Sequence, residues 1–335
     1  MGSLRLVLAM LVAGAHLGAF THFDDGGWIT GHAIFAVRAF FVLSGFYMAM
    51  VLASNDRYKS APRFYFARAV KILPLYWLVV VITMLLAATL TPVDERFSLL
   101  IDPISAWHNL HPSTLPWGLF VYIGVSMTML LGMDTGLWLG FNRIDGALSL
   151  APDYAQDSTS VVVLSPIPQT WTIGLELTFY LVAPFLVRWS WKIIAAIAAA
   201  SVLARVASYG AVANYPWNRS LFPLEVVFFI LGVLAFKAYA SLPIARLPLV
   251  LRVMVMGGCA AGVVFLRYVA TTIGESAQID LAASALVAAA LPFLFDLTRK
   301  SSIDRCFGDF SYPLYAVVPV VWTASGENKL RLVAG

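Results

Sequence analysis

The chain has 335 residues, of which 60% are hydrophobic and only 12% are charged. Soluble domains carry about a quarter charged residues, so this composition excludes an ordinary soluble domain and indicates a protein of the lipid bilayer. The net charge of +4 is modest, and the basic residues are grouped in alternate loops, which argues against a nucleic-acid partner.

Nine apolar stretches follow one another along the chain. A helix needs about 20 residues to cross the hydrocarbon core, and most of the stretches approach that length. Because lipid offers backbone groups no hydrogen-bond partner, helices are the expected form. We predict an all-α, polytopic transmembrane helix bundle with nine to ten spans. The stretches are residues 4–20, 35–53, 70–91, 171–187, 193–209, 221–236, 251–270, 279–298 and 311–324.

The basic residues lie after every second apolar stretch, which is the pattern that marks cytoplasmic loops. We therefore predict a multi-pass protein whose N-terminus is cytoplasmic. These residues are Arg57, Lys59, Arg63, Arg68 and Lys71, then Arg188 and Lys192, then Lys237, Arg246 and Arg252, and finally Arg299, Lys300 and Arg305.

Residues 92–170 form one long region that the charge pattern places outside the cytoplasm. Counting its apolar segment, 115–132, as a full span would break the alternation of basic loops, so we interpret it as a re-entrant or interfacial helix. Loops of this length are usually functional or disordered. Two interpretations stay open: the region covers an acceptor site, or it is a solvated loop with interfacial aromatic anchors.

The first predicted helix carries two ionisable residues, Arg5 and His16. Eleven residues at about 100° each make three turns plus about 20°, so both side chains lie on one face, about 16 Å apart along the axis. Arg5 would lie at the cytoplasmic surface, and a neutral His16 imidazole could accept a hydroxyl proton deeper in the membrane. The alternatives are an arginine that extends to the surface and a hydrogen-bonded histidine of the bundle.

A second polar group follows residue 169. Thr172, Glu176 and Tyr180 are spaced by four residues and so lie on one helical stripe. Glu176 beside a tyrosine hydroxyl could orient the histidine or bind a substrate hydroxyl, or it could simply hold neighbouring helices together. In each case a membrane carboxylate must face the bundle interior.

Arg68 and Lys71 share a face where the third predicted helix begins. Paired cations there suit a phosphate-rich donor such as a coenzyme, although the same charges also serve as a topology signal. In the second helix, Ser44-Gly45 forms a small notch at which another helix can approach closely. Ser44 has no nearby base on its own helix, so the sequence indicates no nucleophile there.

Five motifs occur together in an order that resembles the acyltransferase-3 family of bacterial membrane acyltransferases. The resemblance covers about residues 4–320. The motifs are Arg5 with His16 eleven residues later, the segment 40–46, the pair Arg68 and Lys71 before Pro74, Tyr76 and Trp77, the group Trp171, Glu176, Phe179 and Tyr180, and the segment 308–315.

The resemblance implies transfer of an acyl group, often acetyl, from acyl-CoA on the cytoplasmic side to a hydroxyl of a polysaccharide, a lipopolysaccharide or another glycan. It implies a protein of the bacterial inner (cytoplasmic) membrane, without a metal. The roles that the resemblance assigns are catalysis for His16 and Glu176, binding of acyl-CoA (acetyl-CoA) for Arg5, Arg68 and Lys71, and substrate contact for Trp171 and Tyr180.

The sequence departs from the family pattern at several places. Lys71 stands where a second arginine is usual, and Arg38 stands where an acidic residue is frequent. The family has ten helices where nine apolar stretches are counted here. Because the last apolar stretch ends at residue 324 and polar residues follow it, we expect a transmembrane acyltransferase domain over residues 1–324 and a polar, truncated or altered tail over 325–335.

Two other kinds of function are weighed against this one. A transporter or glycan exporter without chemistry would also line its path with charges, but the chain shows no internal symmetry of the kind that transporters carry. A metal site built from His16, His22 and His32, or from His108 and His111, has loose spacing and no fixed carboxylate partners.

Overall fold

The structure is a computed structural model, and it describes residues 1–21, 28–54, 58, 60–90, 117–141, 148–150, 161, 167, 170–211, 220–274 and 276–325; several side chains within these ranges, including those of residues 16–21 and 315–325, lie outside the description. The α-helices within these ranges are α1 (Gly2–Thr21), α2 (Trp28–Ser54), α3 (Ala61–Leu90), α4 (Trp117–Met129), α5 (Trp171–Leu186), α6 (Trp191–Ala211), α7 (Phe222–Ser241), α8 (Leu249–Ile273), α9 (Ala277–Thr298) and α10 (Ser302–Ser325).

The helical prediction is confirmed, apart from one small hairpin. Strands β1 (Leu139–Phe141) and β2 (Leu148–Leu150) pair in antiparallel fashion with Gly140 opposite Ser149. Strands of three residues carry too little alternation for the sequence to reveal them.

Among the residues that the structure describes, six helices are long and apolar enough to cross a membrane. None of the most apolar stretch of α8 is buried, and lipid is the solvent that accepts such a surface. α4 has 13 residues, so it is about 20 Å long and shorter than a hydrocarbon core of about 30 Å. The six segments are His32–Ser54, Ala61–Leu86, Trp191–Ser208, Phe222–Ser241, Leu249–Ile273 and Ala277–Thr298.

The count of nine to ten spans stays a prediction. So do the division at residue 324 and the placement of 92–170 outside the cytoplasm. Much of 92–170 and all of 326–335 lie outside the described residues.

α2 and α7 form the central pair of the bundle, and α2 also contacts α1, α5 and α9. A Cβ on Gly45 would lie 2.0 Å from the carbonyl oxygen of Phe229, and a Cβ on Gly232 would lie 1.9 Å from that of Val42. Only glycine leaves the space that this approach needs. The close approach predicted at Ser44-Gly45 is therefore confirmed.

Aromatic rings fill the interior beside this pair. Phe229 of α7 stacks with Phe41 of α2 and with Phe179 of α5, at centroid distances of 4.5 and 4.3 Å. All three side chains are buried. The stack fixes α5 against α2 and so sets the position of the polar residues that α5 carries.

Five charged residues, here called the buried ion cluster, lie together near the beginnings of α2, α7 and α9 and the ends of α6 and α8. Asp280 pairs with Arg38, with Arg267 at 3.1 Å and with Arg205 at 3.6 Å. Glu225 pairs with Arg205 at 2.8 Å and with Arg38 at 3.4 Å. Because unpaired charge inside a bilayer is costly, these contacts hold five helices in one arrangement.

A second polar group joins the other ends of these helices. Asp296 of α9 pairs with Arg252 of α8 at 2.7 Å and accepts a hydrogen bond from Tyr239 of α7 at 3.4 Å. Lys237 of α7 donates to the carbonyl oxygen of Val187, directly after α5, at 3.1 Å. The ends of α5, α7 and α9 thus meet the beginning of α8, as alternating antiparallel helices require.

Candidate functional site

A cavity of about 430 Å³ lies between α1, α2, α3, α5 and α10. It falls within the size range of sites for small molecules, about 300–1,000 Å³. Its wall is apolar along one face of α2 and polar where the five helices converge. The polar residues that line it are Arg5, Ser44, Tyr47, Arg68, Lys71, Thr172, Glu176, Tyr180, Asp304, Arg305, Asp309 and Ser311.

Asp304 of α10 holds the beginning of α1 against the cavity. It accepts hydrogen bonds from the backbone N–H groups of Gly2 at 2.8 Å and Ser3 at 2.9 Å, and from the Ser3 hydroxyl at 2.8 Å. Burial alone would raise the pKa of Asp304, but these bonds and the amino group of Met1 hold it well below its usual range. A carboxylate at a helix N-terminus also complements the helix dipole.

Arg5 follows one turn later and lies at the cavity. Its guanidinium lies 5.6 Å from the ring centroid of Tyr47, which positions the charge.

Arg68 and Lys71 bring two further cations to the cavity from α3. The Arg68 guanidinium lies 5.6 Å from the ring centroid of Phe64, a fully buried side chain. Within the described part of the chain, neither Arg5 nor Arg68 nor Lys71 forms an ion pair with a carboxylate. The cavity is therefore suited to an anionic ligand.

Glu176 of α5 is held by two hydroxyl groups. Ser44 of α2 donates to its Oε1 at 2.7 Å, and Tyr180, four residues along α5, donates to the same oxygen. The two hydroxyl oxygens lie 3.3 Å apart. Among the described residues, Oε2 accepts no hydrogen bond, so Glu176 keeps an acceptor for a ligand in the cavity.

The cavity extends along much of α2. Val37 and Val51 both line it, and fourteen helical residues span about 21 Å. Its polar entrance at Arg5, Lys71 and Asp304 therefore continues toward the end of α2 that carries the buried ion cluster.

A family of acyltransferase domains matches residues 2–325, which is nearly the whole chain. The chain belongs to the acyltransferase-3 family. Comparison with the curated proteins and with the solved structures finds no match. The resemblance stated from the motifs is thus confirmed, and the helical, apolar bundle is that of a membrane acyltransferase.

Most of the predicted site residues of the acyltransferase lie at this same cavity, and their roles remain predictions. Trp171 is the exception: it begins α5, is half-buried and packs against the apolar core, and it is not part of the cavity wall. The His16 backbone belongs to α1, but its side chain lies outside the described residues. The residues that meet are Arg5, Arg68, Lys71, Glu176 and Tyr180.

Several cavity residues of the acyltransferase were missed by sequence reasoning. Ser44 has no base on its own helix, so the sequence pattern alone does not connect it with Glu176. The sequence places Arg305 in a basic loop and assigns no role to Asp304 or to Asp309 of the motif 308–315, yet α10 begins at residue 302 and carries all three into the cavity wall. The available signal was the pair of acidic residues that directly precedes the predicted stretch 311–324, because carboxylates are favoured in the first turns of a helix.

The buried ion cluster was also missed as a unit, since its members lie on five helices. For metals, no group of three or more potential ligands occurs among the residues that the structure describes. His22, His108 and His111 fall outside that part of the chain.

Proposed function

We propose that this acyltransferase takes an acyl group from acyl-CoA at the cytoplasmic face of the bacterial inner membrane and transfers it to a glycan hydroxyl on the opposite side. The observation that carries the proposal is the cavity of this acyltransferase-3 family member, at which Arg5, Arg68 and Lys71 gather and form no ion pair with a described carboxylate.

The charges of the cavity suit coenzyme A, whose nucleotide end carries several phosphate groups. Arginine binds phosphate with two parallel hydrogen bonds, and lysine binds it as a point charge. A cavity of about 430 Å³ fits the narrow part of the donor, which is its pantetheine arm with the acyl group, better than the whole coenzyme. The phosphates would remain near the cations at the entrance.

The orientation follows from the positive-inside rule. Arg68, Lys71 and Arg305 belong to loops and helix ends that the sequence marks as cytoplasmic. An acyl-CoA made in the cytoplasm would therefore enter at the end where α3 and α10 begin. The acceptor, a hydroxyl of a polysaccharide, lipopolysaccharide or other glycan, would approach from the opposite end.

The proposed chemistry is attack of an acceptor hydroxyl on an acyl carbonyl. His16 lies about 16 Å beyond Arg5 along α1 and would remove the hydroxyl proton. Glu176 would support the acceptor or the histidine, and Trp171 and Tyr180 would contact the acceptor. The reaction as proposed uses acyl-CoA as its donor and no metal.

The donor site is tested with Arg68→Ala in lipid nanodiscs. Loss of one charged hydrogen-bonding partner should weaken acetyl-CoA binding by about 10- to 100-fold, equivalent to roughly 1.5–3 kcal/mol. Arg63→Ala is the matched control, because Arg63 lies on the same helix, is exposed, and does not line the cavity.

Isothermal titration measures the affinities, and chromatography measures the release of free CoA. Unchanged affinity in Arg68→Ala, or an equal loss in both variants, contradicts the donor site. No release of free CoA from acyl-CoAs of any chain length, in inner-membrane vesicles that contain the glycan acceptors, contradicts the transferase activity. Mass spectrometry of surface glycans with and without the protein then identifies the acceptor by the mass of one acyl group.

A further inference from the structure

Ser44 contacts a base that its own helix does not contain. Its Oγ lies 2.7 Å from Oε1 of Glu176, across the interface between α2 and α5. Tyr180 donates to the same carboxylate oxygen and so fixes its orientation. A nucleophile within hydrogen-bond reach of a base, with the base oriented by a third group, is the arrangement of nucleophilic catalysis.

The position of Ser44 is firmly set. The next residue, Gly45, lies against the backbone of Phe229, with no room for a Cβ, so α2 cannot shift toward α7 at this point. Ser44 is buried from solvent and lines the cavity. Its hydroxyl is therefore held at the cavity wall, 2.7 Å from the Glu176 carboxylate.

We propose that Ser44 is a nucleophile that carries the acyl group as a covalent ester between donor and acceptor. This inference rests on the proposed function, since it describes how the same cavity would pass an acyl group onward.

In the first step the Ser44 oxygen attacks the thioester carbonyl carbon of acyl-CoA, and its proton passes to Glu176. The C–S bond then breaks, and the departing CoA sulfur takes that proton. An ester on Ser44 and free CoA are the products, so the step needs no further reactant.

In the second step the acceptor hydroxyl attacks the ester carbonyl, and its proton passes to the base of that half-reaction, His16. The bond from the carbonyl carbon to the Ser44 oxygen breaks. Glu176, a carboxylate after the first step, takes the acceptor's proton from the histidine and passes it to the departing Ser44 oxygen. The acylated acceptor is released, and every side chain returns to its starting protonation state.

Ser44 lies about midway along the cavity, where both substrates could reach it. Ser44 stands seven residues from both Val37 and Val51, so it lies about 10 Å along α2 from each end of the cavity. A donor that enters at the Arg5 end and an acceptor that enters at the other end could each reach Ser44. The two substrates would then never need to occupy the cavity together.

The alternative is a purely structural role, in which the Ser44 hydroxyl donates a hydrogen bond to Glu176 and so joins α2 to α5. That role needs the hydroxyl as a hydrogen-bond donor, and it forms no covalent bond. Detection of the ester therefore separates the two explanations.

The test uses the full-length protein in lipid nanodiscs with radiolabelled acetyl-CoA and no glycan. Samples are quenched in acid at short times, digested, and analysed by peptide mass spectrometry, while chromatography follows free CoA. We expect one acetyl group on Ser44, formed at least as fast as the steady release of free CoA. Ser44→Ala should lose the label and slow acyl transfer at least about 100-fold.

Two further variants sharpen the result. Ser44→Cys should take up the label as a thioester that neutral hydroxylamine cleaves, whereas the serine ester needs alkaline hydroxylamine. Ser201→Ala is the control, because Ser201 of α6 is a buried hydroxyl that donates to a backbone carbonyl at 3.4 Å and does not line the cavity. It should keep both label and turnover.

Free CoA released without an adduct on Ser44, an adduct on a different residue, or normal turnover in Ser44→Ala overturns this inference and leaves the proposed function standing. Absence of CoA release without glycan also overturns this inference alone, because direct transfer releases CoA only when an acceptor is present. Absence of CoA release in inner-membrane vesicles that contain the glycan overturns the proposed function as well. If Ser44→Ala does not fold, the wild-type adduct and the hydroxylamine sensitivity of Ser44→Cys decide the question.

Discussion

Two carboxyl groups of this chain, Glu176 and Asp134, are withdrawn from water in different surroundings. Glu176 receives two hydroxyl donors and faces a cavity that contains cations. Asp134 lies in the turn after α4, is only 3% exposed, and its Oδ1 has no hydrogen-bond partner among the described residues. Burial raises the pKa of Asp134 to about 6, although the backbone N–H groups of Asp134 and Thr135 oppose the rise.

This raised pKa predicts a pH-dependent stability. The folded protein holds the Asp134 proton more tightly than the unfolded chain does. The stability that this protonation contributes is therefore fully present below about pH 4, and it is lost as the pH rises through the folded pKa of about 6. Two pKa units correspond to about 3 kcal/mol. We expect Asp134→Asn to remove this loss and to raise the Tm in detergent at pH 7.5.

The control for this prediction is the same comparison at low pH. At pH 4.5 the wild-type carboxyl is mostly protonated when folded, so the gain from Asp134→Asn should shrink by roughly two thirds. Equal Tm gains at pH 4.5 and pH 7.5 contradict the raised pKa. Differential scanning fluorimetry on both proteins measures the effect.

At the residue scale, the sequence revealed which side chains were costly in lipid but not which ones met. Glu176 and Tyr180 were paired correctly, because they are four residues apart on one helix. The partner that completes their network, Ser44, is 132 residues away in the chain. Periodicity along one helix contains no information about such a contact, so a search for a base near Ser44 fails unless two helices are already placed together.

At the scale of elements, the apolar stretches predicted the helices and underestimated their lengths. The stretch 35–53 became α2 (Trp28–Ser54), and 70–91 became α3 (Ala61–Leu90). Hydropathy detects the part of a helix that lies in hydrocarbon, whereas the hydrogen-bonded helix continues into the polar interface. Arg68 belongs to this polar extension of α3, and Lys71 lies directly after it, at the start of the predicted stretch; both line the cavity.

The contact between α2 and α7 gives a prediction for a single methyl group. Gly45→Ala would place a Cβ 2.0 Å from a backbone carbonyl oxygen of α7, which no side-chain rotation relieves. The helices must then separate, and we expect a loss of about 1–3 kcal/mol or more in the free energy of unfolding. The Tm and the yield of monodisperse protein in detergent measure it.

Gly258→Ala is the matched control for this substitution. Gly258 is also a helical glycine, on α8, but no atom lies within 4 Å of the position of its Cβ. Alanine has the higher helix propensity, so this variant should be neutral or slightly more stable. Equal behaviour of the two variants contradicts the close packing of α2 on α7.

At the scale of the whole molecule, the two ends of the bundle differ in their chemistry. One end carries the buried ion cluster, in which three guanidinium groups and two carboxylates are sealed from solvent. The other end opens at the cavity, with cations that lack carboxylate partners among the described residues. The ion cluster fixes the helices at one end, and the cations at the other end lie at a cavity that can admit an anionic ligand, so the asymmetry suits a protein that takes a charged donor from one side only.

The side on which that opening lies can be tested with a residue the chain already has. Cys306 is exposed and lies in the first turns of α10, directly after the cavity residue Arg305. The charge pattern places this end in the cytoplasm. A membrane-impermeant maleimide should therefore label Cys306 in inverted inner-membrane vesicles and not in intact spheroplasts.

The opposite end supplies the control for this topology. In a background where Cys259 and Cys306 are serine, Thr272→Cys places a thiol on an exposed residue near the end of α8. This thiol should be labelled in spheroplasts and protected in inverted vesicles, the reverse of Cys306. Labelling of Cys306 from the outside would show that the cavity opens away from the cytoplasm. The donor then could not be a cytoplasmic acyl-CoA, because a coenzyme with several phosphate charges does not cross the bilayer unaided.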